Sequence, residues 1–182
     1  MAIADVSTTP ISDLMSLSGR VAVVTGGGGG IGAAICNRLA EAGAAVAVLD
    51  LSLDAAKETA AGIADRHGVP TTALAVDVTD EAAVQAAVRQ VAGELGDVHV
   101  WVNNAGAYPS AQAIDLSAEG WDSLMGLNLR ASFVGSREAA RHMIDAGHGG
   151  AIVNIASTAA NKSGGGNAVH YVASKHGVAG MT

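Results

Sequence analysis

From Arg20 onward, two kinds of hydrophobic pattern take turns along the chain. Short, almost unbroken apolar runs rich in β-branched residues occupy VAVVT (21–25), AVAVL (45–49), TALAV (72–76), VHVWV (98–102) and AIVNIAS (151–157). Runs of this kind predict strands buried on both faces. Between them apolar residues recur at helical spacing: Ile31, Ile35 and Leu39, then Val84, Val88, Val91 and Leu95. Each set lays one apolar stripe along a helix. Thr79, ahead of Asp80 and Glu81, reads as an N-cap with acids in the first helical turn, and Gly43, Gly68 and Gly96 stand where helices should stop. Strand–helix alternation predicts an α/β fold, a doubly wound parallel sheet with right-handed crossovers and helices on both faces. Residues 1–17 lack the pattern and read as a flexible tail, leaving 18–182 as one folded domain.

Composition narrows the function. A chain of 182 residues with 49% hydrophobic content can bury one sizeable core. Its net charge of -7, with no Lys/Arg cluster, argues against nucleic acid, because a phosphate backbone needs a basic face. The N-terminus has no basic leader and meets Asp5 at once, and no apolar stretch reaches the ~20 residues that span a bilayer. A cytoplasmic protein without membrane contact is the expectation. Cys36 is the single cysteine, which excludes an internal disulfide and reads as a small buried hydrophobe on a helix. The six histidines are scattered and form no metal-binding pair, so no metal is expected. Trp101 and Trp121 read as packing residues.

Residues 25–32 read TGGGGGIG, directly after the first expected strand and at the head of the first expected helix. There, glycines permit a tight turn, close approach of backbone to a pyrophosphate and tight helix–strand packing, while the helix N-terminus offers N–H groups to the anion. A mononucleotide P-loop would need Lys followed by Ser or Thr, and this chain has Gly30, Ile31 and Gly32 in that region. Asp50 closes the second expected strand, where a carboxylate accepts hydrogen bonds from an adenosine ribose diol and repels a 2′-phosphate. The pattern points to a dinucleotide, NAD ahead of NADP.

Further motifs follow in order: Asp77-Val78 after the third expected strand, Asn103-Asn104-Ala105-Gly106 after the fourth, Asn128 in the long helix beyond, and Ser157 with Tyr171-x-x-x-Lys175. With Thr25-Gly26-x-x-x-Gly30-Ile31-Gly32 at its head, this set resembles the short-chain dehydrogenase/reductase family over residues 18–182. The resemblance implies a Rossmann-type sheet of order 3-2-1-4-5 and an NAD-dependent oxidoreductase that moves a hydride between nicotinamide and a small alcohol or carbonyl substrate. It makes Tyr171 the acid/base, gives Lys175 the nicotinamide ribose, Ser157 the substrate oxygen, and Asn128 a water in a proton relay. Tyr171 and Lys175 also stand four apart in a helical stretch, and an ammonium beside a phenol favours the phenolate that a general base needs. The implied cofactor contacts are Thr25, Gly26, Gly30, Ile31, Gly32, Asp50, Leu51, Asp77, Val78, Asn104, Ala105, Gly106, Tyr171 and Lys175. NADP-using members often carry a basic residue where Gly29 stands, and Leu51 adds no charge beside the ribose.

One departure concerns Ser157, which lies one residue further from Tyr171 than the commonest family spacing. NKSGGGNA (161–168) can absorb the extra residue, with Thr158 and Ser163 as substitutes for Ser157. His170, beside Tyr171, is a candidate to face the substrate. Family members continue beyond the Tyr171 helix with further strands and a substrate-covering segment, so a fragment or truncated product is expected. A nucleotide-binding or interaction module without turnover stays open as the alternative. Met125, Leu129, Phe133 and Val134 lie on or near one face of the long helix through which members associate, and a homo-oligomer is expected.

Overall fold

A computed structural model describes residues 5–161 and 167–182. Five strands, β1 (Val21–Thr25), β2 (Ala45–Asp50), β3 (Thr71–Ala75), β4 (Val98–Asn103) and β5 (Ala151–Asn154), form one parallel sheet in the order β3-β2-β1-β4-β5. The helices are α1 (Ile11–Leu14), α2 (Gly30–Glu41), α3 (Leu53–His67), α4 (Glu81–Leu95), α5 (Ala118–Met125), α6 (Ala131–Asp145) and α7 (Val169–Met181). A π-helical turn, Gly126–Arg130, joins α5 to α6 without a break.

Successive residues of a strand face opposite sides of a sheet, and the two faces here bury two separate clusters. Val23, Leu49 and Trp101 pack with Val84, Val88 and Val91 of α4 and Val134 of α6 on one face. Val24, Val48 and Val102 pack with Cys36 and Ala40 of α2 and Ala56 and Ile63 of α3 on the other. The expected stripe on α4 is therefore present. Burying each of its valines is worth about 1.5–3 kcal/mol, more than helix propensity supplies. Gly68 and Gly96 end α3 and α4 at positive φ, and Gly43 follows α2 in the same region.

Four sequence expectations need correction. Ile31 is 67% exposed, and α2 faces the sheet through Gly32, Cys36 and Ala40 instead. The reason is distance: a Cβ on Gly32 would stand only 2.0 Å from the Gly26 carbonyl oxygen, so this helix sits too close for large side chains. The N-cap of α4 is Asp80, whose Oδ1 accepts from the N–H groups of Ala82 and Ala83, because Thr79 is bonded back to Asp77. β5 stops at Asn154 rather than running to 157, and as the sheet edge it leaves Ala151 and Val153 exposed. Of Met125, Leu129, Phe133 and Val134, only Phe133 is exposed; Val134 is turned into the core.

Asn103 ties the end of β4 to its surroundings. Its Oδ1 accepts from the Trp101 indole, and its Nδ2 donates to the Ser132 carbonyl, the Ser136 hydroxyl and Asn154 Oδ1. This buried polar group keeps β4, β5 and α6 in register where the candidate site begins.

Candidate active site

The glycine run turns the chain from β1 into α2 at the C-terminal end of the sheet, with Gly26 and Gly30 at φ 62° and 53°. Gly28 N–H donates to Asp50 Oδ2 at 2.9 Å, and Ser52 N–H donates to Oδ1 at 3.0 Å, so the carboxylate is held from both sides. No side chain caps the N-terminus of α2 and no acid stands in its first turn. The helix dipole and its first N–H groups there suit an anion. Asn104 Nδ2 clamps the turn from across the sheet by donating to the Thr25 and Gly26 carbonyls, each at 3.0 Å. Thr25 is buried, and its hydroxyl accepts from the N–H groups of Asn104 and Ala105 while donating to the Val102 carbonyl. Thr25, Gly32 and the Asn104 side-chain amide thus build the turn from behind.

Two clefts open beside it. One, of about 240 Å³, is lined by Gly26, Asp50, Leu51, Val76, Asp77, Val78, Ala105, Gly106 and Leu127. The other, of about 210 Å³, is lined by Ile31, Asn104, Gly106, Ala107, Tyr108, Ile155, Ala156, Tyr171 and Lys175. Gly106 lines both, so the two clefts adjoin at the C-terminal ends of the strands, where open α/β sheets take ligands. Asp77 Oδ1 accepts from Thr79 N–H and Oγ1–H, which hold its carboxyl below the usual range.

Tyr171 and Lys175 share a face of α7, and the Lys175 ammonium lies 5.9 Å from the Tyr171 ring centroid. Lys175 is buried, donates to the Ile155 carbonyl at 2.6 Å, and is pushed below the usual lysine value by desolvation. Tyr108 stands edge-on to Tyr171 at 4.5 Å between centroids. Asn128 lies in the π-helical turn, fully buried; its Oδ1 accepts from Ala107 N–H, and its Nδ2 donates to the Ala107 carbonyl and the Ser174 hydroxyl. Ser157 follows β5, accepts from Ala159 N–H at 3.1 Å, and does not line the cleft of Tyr171. Thr158 is exposed, and Ser163 with residues 162–166 lies outside the described residues. His170 is buried, 1% exposed, and lines neither cleft.

Sequence reasoning missed Val76, Leu127, Ala107, Tyr108, Ile155, Ala156 and Ser174. Tyr108, two residues past Gly106, was within reach of the motif; the others are ordinary apolar or small residues with no chemical signature. Among the described residues, no group of three or more His, Cys, Asp or Glu side chains gathers to hold a metal ion, and no helix is long and apolar enough to cross a membrane.

Sheet order, glycine turn and clefts together define a Rossmann-type α/β domain. The profile of the short chain dehydrogenase family matches residues 20–182, and the chain belongs to that family of oxidoreductases. It is 43% identical over 166 residues to D-threitol dehydrogenase of Mycolicibacterium smegmatis, covering 91% of this chain and 63% of that one. Sorbitol dehydrogenase of Cereibacter sphaeroides is 36% identical over 148 residues, or 81% of this chain and 56% of the relative. This chain therefore spans less than two thirds of those relatives' length. The solved NADPH-dependent 3-quinuclidinone reductase of Rhodotorula rubra superposes with a TM-score of 0.91 at 31% identity, covering 100% of this chain and 68% of that one.

Proposed function

We infer that the protein is an NAD-dependent dehydrogenase of a small polyhydroxylated alcohol. The observation that carries this reading is the pair of adjoining clefts, one lined by Asp50, Asp77, Val78 and Ala105 and the other by Tyr171 and Lys175, with Gly106 on both. The residues fit a dinucleotide: an uncapped helix N-terminus for the pyrophosphate, an oriented carboxylate at the ribose end, and a buried ammonium for the second ribose.

When bound, the nicotinamide supplies a hydride acceptor or donor. Tyr171 then takes the hydroxyl proton as the carbon–hydrogen bond breaks, leaving a carbonyl product; in reduction it returns the proton. Lys175, held on the Ile155 carbonyl, stands with its ammonium 5.9 Å from the Tyr171 ring, on the same cleft wall as the phenol. Ser157 would hold the substrate oxygen, a role that requires its hydroxyl to exchange Ala159 N–H for substrate. Asn128 supports the site through its contacts to Ala107 and Ser174, and a relay water would need acceptors beyond this side chain.

Asp50 supports NAD over NADP. Both carboxylate oxygens are fixed by backbone N–H groups, so the charge cannot swing away from a 2′-phosphate without losing those bonds. The names of the two polyol dehydrogenase relatives support the substrate class. Fluorescence titration of the full-length protein with NADH and NADPH, followed by turnover on a panel of polyols and simple alcohols, tests the reading. Tighter NADH binding with polyol oxidation is the expected result, and Asp50→Ala should narrow the cofactor gap. Tighter NADPH binding would overturn the cofactor assignment.

A further inference from the structure

We propose that Ser174 is a positioning residue, a hydroxyl link that sets the gap between the two walls of the groove around Tyr171. This rests on the dehydrogenase reading above. One wall is the loop carrying Gly106, Ala107 and Tyr108, and the other is the first turns of α7 with Tyr171 and Lys175. Between them runs a buried chain of hydrogen bonds whose direction is fixed throughout.

Ala107 N–H can only donate, so Asn128 must turn Oδ1 toward it, at 2.9 Å. That orientation commits Nδ2, a donor, to the Ala107 carbonyl at 3.0 Å and to Ser174 Oγ at 3.2 Å. Having accepted there, the Ser174 hydroxyl donates its own proton to the Tyr171 carbonyl at 2.8 Å. Asn128 and Ser174 are each 0% exposed, so water does not replace either partner. The chain ends on the backbone of the residue whose phenol does the chemistry. At the outer rim, the edge-on contact of Tyr108 with Tyr171 joins the same two walls a second time.

Helix geometry alone fixes Tyr171 relative to Lys175, but not relative to the loop that lines the groove. The link through Ser174 supplies that second coordinate. Removing it leaves one Asn128 N–H without its buried acceptor and frees α7 to shift against the loop. A displacement of about 1 Å from a reacting geometry can cost on the order of a hundredfold in rate. Because Ser174 lines neither cleft, the loss should fall on turnover rather than on dinucleotide affinity.

The test uses Ser174→Ala and Ser174→Cys in the full-length protein, with Tyr171→Phe alongside. Cysteine fills the site but is a weak donor, so it separates hydrogen bonding from packing. Both Ser174 variants should lower kcat by roughly tenfold to a hundredfold, with substrate KM and NADH Kd changed by no more than about twofold. In the cofactor-free protein, amide exchange should speed up together at Ala107 and over the first turn of α7, while β1 and β4 keep their rates. Wild-type kcat in Ser174→Ala would overturn the proposal, as would wild-type behaviour in Ser174→Cys, which assigns the site to packing. A parallel loss of NADH binding would overturn it too, since the residue would then be supporting the fold. Tyr171→Phe separates the two readings: if it is inactive while Ser174→Ala is normal, only the positioning role fails, and if it stays active, both fail.

Discussion

Replacing Gly32 by alanine places a methyl group where α2 lies closest to the sheet. The added Cβ would stand 2.0 Å from the Gly26 carbonyl oxygen, 2.8 Å from its carbon and 2.6 Å from Asn104 Nδ2. Two of these obstacles are backbone, and the third is an amide already donating to the Thr25 and Gly26 carbonyls. To regain even a tight contact, α2 must retreat by about 1 Å, and core overpacking of this kind costs about 1–3 kcal/mol. If the Asn104 amide loses its acceptors as well, another 1–3 kcal/mol or so follows. A total of about 2–6 kcal/mol corresponds to a fall of roughly 4–24 °C in Tm for a chain of this size. The same retreat moves the α2 N-terminus away from the anion, so NADH affinity should drop at least about tenfold. Gly29→Ala is the control, because its Cβ meets nothing within 4 Å and its φ of -170° suits any residue. Thermal melts with and without NADH, paired with calorimetric titration, give both quantities. A Gly32→Ala protein that melts with the wild type and binds NADH equally well would refute the packing argument.

His99 makes stability depend on pH. Its Nδ1 accepts from Val21 N–H at 3.3 Å, its ring stacks on His148 at 4.5 Å, and burial, with His148 and Arg20 nearby, lowers its pKa against the opposing pull of Asp97. The unfolded chain therefore takes up the proton first, and stability is full above the ordinary value of 6.5 and falls as pH drops through it toward the lower folded value. Urea midpoints on both sides of that value should differ in the wild type and differ less in His99→Asn; equal slopes would remove His99 as the cause. Cys36, buried with its thiol pushed up to about 12, should resist thiol reagents until the protein unfolds, and rapid labelling under native conditions would contradict the packing of α2. With Val153 43% exposed on an edge strand, the protein should self-associate in light scattering, and a stable monomer would contradict this.

Features that depend on local pattern were legible in the sequence. β1, β2 and β4 follow from unbroken apolar runs, and α4 from valines at helical spacing. The glycine turn could be placed because a strand precedes it and a helix follows. What escaped depends on contacts between distant segments. The α2 stripe was read through Ile31 and Leu39 because large side chains dominate a hydrophobic pattern, yet the helix packs through its smallest residues. The π-helical turn around Asn128 places that amide against Ala107, which no helical periodicity anticipates. Ser174 looks like filler between Tyr171 and Lys175 until Asn128 is seen beside it. Tyr171 and Lys175 line one cleft and Asp50, Leu51, Asp77, Val78, Ala105 and Gly106 the adjoining one, whereas Ser157 hydrogen-bonds within its own turn. The Asp80 cap was missed by one residue because Thr79, the expected cap, commits its hydroxyl and N–H to Asp77.

The most direct measurement is Tyr171→Phe in the full-length protein, followed by NADH binding and by turnover on the best alcohol substrate. Phenylalanine keeps the ring against Tyr108 and removes only the oxygen that handles the proton. NADH affinity within about twofold of wild type, with turnover lower by at least about a hundredfold, is the result predicted for an acid/base that touches the substrate and not the adenosine. Unchanged turnover, or loss of NADH binding in step with turnover, would contradict the account.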